Sequence, residues 1–221
     1  MAEKKHNDNW IFIAALVFSA VIFLFGMLLG NYIANSKMNE FKQTEERFVV
    51  DLVALDVRES VLNESVCKLN IDDLFEEKVA LGRMMTDLEG RLGKENENVV
   101  AKKEIYELIE IKTLQYLEKI KTECGENFST VLFFYTNKKN DTLGSVDGCE
   151  DQGKILDQVV YEHEHNQTAS KVYVFAFDAN SKNLATESLI EKYNITSVPS
   201  IVINRQVQGY SVKSELKSFL K

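Results

Sequence analysis

Proline occurs once in the 221 residues, tryptophan once, and cysteine and histidine three times each, while Lys and Arg (26) are outnumbered by Asp and Glu (34). The resulting formal net charge of −8 excludes the basic footprint of a nucleic-acid-binding protein. The densest basic spots, the pairs Lys102-Lys103 and Lys138-Lys139, read as solvated surface. No glycine-rich loop follows the first strand-like run, so nucleotides lack a phosphate cradle, and no nucleophile-elbow pattern gathers Ser, His and Asp. The histidines do not make a metal site. In Glu162-His163-Glu164-His165 the two imidazoles are two positions apart, which on a helix turns them about 200° from each other. The tract reads as a solvated helix end, and neither a metal nor a cofactor is expected.

Charge is also missing over one long stretch. Trp10 to Ala34 contains no charged side chain, and as a helix it is long enough for a hydrocarbon core of about 30 Å. Trp10 and Tyr32 lie near its ends, where interfacial aromatics are placed. A cleavable leader has a shorter apolar region, of about 7–15 residues, followed by a small-residue cleavage site that is not clear here. The expectation is a single uncleaved anchor at residues 10–34 with residues 1–9 as a cytoplasmic tail. Lys4 and Lys5 before the span nearly balance Lys37, Lys42 and Arg47 after it, so flanking charge does not set the orientation. Five Asn-x-Ser/Thr triplets, at Asn63, Asn127, Asn140, Asn166 and Asn194, all follow the span and point to an extracytoplasmic C-terminal part.

Residues 35–125 carry helical periodicity. Phe41, Phe48, Val49, Leu52, Val53, Leu55 and Leu62 continue an amphipathic helix away from the anchor. Asn70 caps a second helix with the stripe Ile71, Leu74, Phe75, Leu81, Met85, Leu88 and Leu92, ending near Gly93. A third, with Ile105, Leu108, Ile109, Leu114, Leu117 and Ile120, stops at Cys124-Gly125. Three helices joined by short turns run up, down and up. Cys67 and Cys124 then both lie at the end away from the anchor, where a structural disulfide between them would fit an oxidising compartment.

From residue 126 the pattern changes to short apolar strands, Ser129–Thr136 and Lys171–Asp178, separated by a helix-like stretch from Glu150 to about His163. A helix at about Asn183–Tyr193, a strand Ser200–Asn204, a short strand near Val207–Tyr210 and a final helix Val212–Leu220 complete the order βαβαββα. The lone proline opens the third strand in Ser197-Val198-Pro199-Ser200. X-Pro is the peptide bond whose cis form is accessible, so this is read as a cis-proline turn. The tract resembles the Val-Pro-Thr turn of the thioredoxin superfamily, and residues 126–221 as a whole resemble that α/β domain, giving an architecture of anchor, three-helix stalk and thioredoxin-like domain at the far end.

Gly144-Ser145-Val146-Asp147-Gly148-Cys149-Glu150-Asp151-Gln152-Gly153 resembles the second half of a Cys-x-x-Cys-x-x-Gln-Gly motif of membrane-anchored thioredoxin-like proteins, some archaeal. With Asp147 and Glu150 read as a capping box, Cys149 falls at the resolving position and Val146 where the attacking cysteine would be. In the other register Cys149 attacks and Gln152 replaces its partner. Asp147, Glu150 and Asp151 oppose a thiolate in both. The resemblance implies two functions: a redox-degenerate module holding an extended polypeptide in a groove at Val146, Val198 and Pro199, or a thiol-disulfide oxidoreductase or isomerase using Cys149, alone or exchanging with Cys67 or Cys124. The partners expected are the membrane and a polypeptide or membrane protein, with no nucleic acid or nucleotide. A structural subunit using its stalk as an interface is the third possibility.

Overall fold

The computed structural model describes residues 9–60, 65–165, 170–203 and 205–220. Asn63 and Asn166, the end of the first helix at Leu62, and Asn204 lie outside them. Helix α1 is a single unbroken helix from Asn9 to Ser60. Its 52 residues extend about 78 Å at 1.5 Å per residue. The first part, with Trp10 through Ile33 exposed, is long and apolar enough to cross a membrane. The second part buries Phe41, Phe48 and Leu52 against two further helices.

Helix α2 (Ile71–Leu92) begins where the Asn70 side chain accepts from the Asp72 amide, and ends at Gly93, whose φ of 91° suits a residue without Cβ. Helix α3 (Glu97–Cys124) is capped by Asn96 and stopped by left-handed Gly125. A disulfide joins Cys124, the last residue of α3, to Cys67 in the 3₁₀ turn Val66–Lys68. Lys102 meets Glu45 at 2.6 Å and Lys112 meets Asp56 at 2.8 Å, which sets α3 parallel to α1 with an offset near 57 residues in number. The α2–α3 turn therefore lies level with α1 residues just past Ala34, and Lys37 and Glu40 line a surface hollow with Arg83, Met84 and Asp87.

Strands β1 (Phe128–Tyr135), β2 (Lys171–Asp178), β3 (Ser200–Ile203) and β4 (Gln206–Gln208) form one sheet in the order β2-β1-β3-β4. β1 and β2 are parallel, linked through helix α4 (Val146–Glu164); β3 is antiparallel to β1, and β4 to β3. Helix α5 (Leu184–Tyr193) precedes β3 and helix α6 (Lys213–Phe219) follows β4, so the element order is the expected βαβαββα. The architecture is mixed α/β: a long apolar N-terminal helix, a helical hairpin and a small four-stranded sheet.

The sheet stands beside the hairpin, where the sequence placed it at the far end. Gly125 reverses the chain, and β1 runs back along α3: Lys121 Nζ donates to the Phe128 carbonyl, Thr130 Oγ1 to Glu118, and Lys103 lies 4.9 Å from the Tyr135 ring centre. The reason is the outer edge of β2, whose backbone groups would otherwise face water. The hairpin covers it, with Phe75 edge-on to Tyr173 at 4.5 Å and Lys171 and Tyr173 bound to Asp72. One buried cluster runs from Phe41 through Leu81 and Met85 to Phe134 and Phe175.

Candidate functional site

The N-terminus of α4 and the proline turn meet. The Val198–Pro199 peptide bond is cis. A Cβ added to Gly148 would lie 3.7 Å from Pro199 Cδ, which places the proline over the first turn of α4. The cap differs from the Asp147–Glu150 box. Ser145 is the N-cap, its hydroxyl accepting from the Gly148 amide at 3.1 Å, because it immediately precedes the first helical residue, Val146. Val146 thus opens the helix and Cys149 lies one turn in, its amide bonded to the Ser145 carbonyl.

Cys149 is 3% exposed. Its Sγ accepts from the Thr136 amide at 3.4 Å. Burial pushes the thiol pKa up, and the charges of Asp141 and Asp178 push the same way, against the Thr136 amide. Both effects disfavour the thiolate, which is the nucleophilic form. Gln152 is fully buried and holds Ser211, two residues before α6: its amide donates to the Ser211 carbonyl at 3.1 Å and its carbonyl accepts from the Ser211 amide at 2.7 Å. Cys67 and Cys124 lie near the start of β1 and Cys149 beside its end, separated by the strand's eight residues, or about 25 Å. Direct exchange between them is excluded in this conformation.

The backbone beside the proline is already occupied. The Val198 amide donates to the Leu143 carbonyl at 2.9 Å, and Gly144 pairs with Val198 in an isolated parallel bridge. A Cβ on Gly144 would come within 1.8 Å of the Val198 oxygen, so only glycine fits. The loop before α4 is pinned in turn by Asp141, which accepts from the Leu143 amide and from Asn180. These bonds, the Leu143 amide foremost, hold the Asp141 carboxyl at about 2. An extended peptide cannot add to Val198 without displacing residues 143–145.

An open surface lies next to this. A cleft of about 890 Å³ runs between α2 and α4 over strands β1 and β2, with Cys149 and Thr136 at one end. Phe133, Val172, Val174 and Ala176 form its floor. Along its α2–α3 wall the β2 edge is satisfied by buried charges. Lys78 Nζ donates to the Val174 carbonyl at 2.6 Å and pairs with Glu110 at 3.0 Å, while Glu110 accepts from the Ala176 amide and the Tyr106 hydroxyl. Glu107 accepts from the Asp178 amide and Thr186, and Lys103 pairs with Asp178 at 2.6 Å. Burial raises the pKa of both Glu107 and Glu110. The sequence reading missed all four residues. Their signal was spacing: Lys78 sits seven positions after Ile71 inside an apolar stripe, and Lys103, Glu107 and Glu110 share one face of α3.

His163 and His165 face backbone carbonyls, of Ser170 and Tyr161, and among the described residues no group of three or more His, Cys, Asp or Glu side chains is arranged to hold a metal ion. No family model, curated protein or solved structure matches the chain.

Proposed function

We propose that this chain is a membrane-anchored, extracytoplasmic polypeptide-binding module with a thioredoxin-like domain that has lost dithiol chemistry. The sheet order, the α4 N-terminus and the cis-proline turn beside it support the fold reading. One observation carries the functional one: the only free cysteine among the described residues is buried, and the position one turn before it is Val146. Thiol-disulfide exchange needs an accessible thiolate and a resolving partner. The Cys67–Cys124 disulfide supports an oxidising compartment, hence a cytoplasmic N-terminus and an outward-facing body. Because residues 143–145 cover Val198, the polypeptide surface is the α2–α4 cleft rather than the strand edge at Val146, Val198 and Pro199. The test uses the full chain in detergent or nanodiscs. Disulfide reduction is expected at the uncatalysed rate, and partner crosslinks are expected to survive Cys149→Ser. Turnover that disappears with Cys149→Ser would make the protein an oxidoreductase or isomerase.

A further inference from the structure

Resting on that reading of an anchored polypeptide-binding module, we infer that the α2–α4 cleft receives a helix that rises out of the membrane as the continuation of a neighbouring transmembrane segment. The argument is one of direction, height and length. Direction comes from α1, which is unbroken and runs roughly parallel to α3 and antiparallel to α2, so a cleft walled along α2 from Phe75 to Glu89 follows the line of the anchor. A polypeptide approaching in the plane of the membrane meets this cleft side-on along its whole length.

Height comes from the pairs that align α3 with α1. With an offset near 57, Asn96 is level with α1 residue 39, about 8 Å beyond Ala34. The lower mouth, where Lys94 meets Glu150 at 3.2 Å, therefore opens close to the headgroup layer. Length comes from the wall: along α2 the lining runs from Phe75 to Glu89, 14 positions or about 21 Å, roughly four helical turns, and Lys94 in the following turn closes it. The cleft has an apolar floor and unpaired charge of opposite sign on its two rims. Among the described residues Arg83 on α2 and Asp157 on α4 have no ion-pair partner. That is the complement of an amphipathic helix with acidic side chains on one flank, basic on the other and an apolar stripe between.

The test places a photo-crosslinking residue in the full chain at Lys94, Val79 or Asp157, with Val207 on β4 as the control, and irradiates native membranes. Linked peptides are read by mass spectrometry. The expected result is linkage to another polypeptide within about 20 residues of a transmembrane span, with Lys94 linking nearer the span than Val79, and no such linkage from Val207. Arg83→Glu is expected to reduce the yield at all three positions. Links to soluble proteins, links without that order, or no links from any cleft position would overturn the inference. The underlying reading fails separately: alkaline carbonate would release the chain from membranes, or Cys149→Ser would abolish the links.

Discussion

The two edges of the sheet are protected by opposite means. At the β4 edge the strand is three residues long, with Gln206 and Val207 exposed and Gln208 partly buried, and brevity with polar side chains is protection enough. At the β2 edge the strand is eight residues long, and a helical hairpin covers it. There the backbone of Val174, Ala176 and Asp178 is bonded by the side chains of Lys78, Glu110 and Glu107, all at most 4% exposed. A long edge strand can thus end a sheet without pairing to another strand if charged side chains take over the ladder bonds. The arrangement is vulnerable, because each buried ion depends on its partner.

The sharpest way to break the difference is Lys78→Met. It leaves Glu110 buried without its counter-charge and the Val174 carbonyl without its donor. A loss of about 3–5 kcal/mol in chemical unfolding is expected. Next, Cys124→Ser removes the bridge that ties the start of α2 to the end of α3, the frame of the β2 cover. Its loop spans 57 positions, and the loss should be at most about 4 kcal/mol.

Acidity sharpens the comparison further. Glu107 and Glu110 have folded pKa values raised above the ordinary 4.5, so the native state binds protons there that the unfolded chain has released. Their contribution to stability falls as pH rises from 4.5 through the raised values. The stability difference between Glu107→Gln and the parent, followed by urea unfolding from pH 4 to pH 8, should grow in favour of Gln as pH rises. Asp141 works in reverse: held at about 2 against an ordinary 3.8, it stabilises above 3.8 and loses that contribution as pH falls from 3.8 to 2. Asp141→Asn should flatten this acid limb. The smallest effect is reserved for the other edge. Gln206→Lys and Gln208→Lys should each shift stability by no more than about 0.5 kcal/mol.

Local chemistry made much of the architecture legible. Asn70, Gly93 and Gly125 punctuate the helices where their side chains, or lack of them, satisfy helix ends. The up-down-up order brought Cys67 to Cys124, and one proline marked the turn beside α4. What could not be read was which helix face meets which strand edge, since that depends on contacts between residues about 70 to 100 positions apart. Lys78 looks like a flaw in an apolar stripe until the Val174 carbonyl is placed opposite it. The Ser145 cap was hidden by a better-known pattern two residues on, and the closure of the Val198 edge by the fact that Gly144 announces only that something comes close.

The unbroken α1 joins the body to its long apolar stretch as a rigid shaft, so the phase of that helix is an inherited setting. One residue inserted between Ala34 and Lys37 would swing the whole body by about 100° around the shaft and raise it by about 1.5 Å. Seven residues would return it almost to its bearing while lifting it by about 10 Å. Direction and elevation can therefore be varied separately by insertion length, with every contact inside the body left as it is.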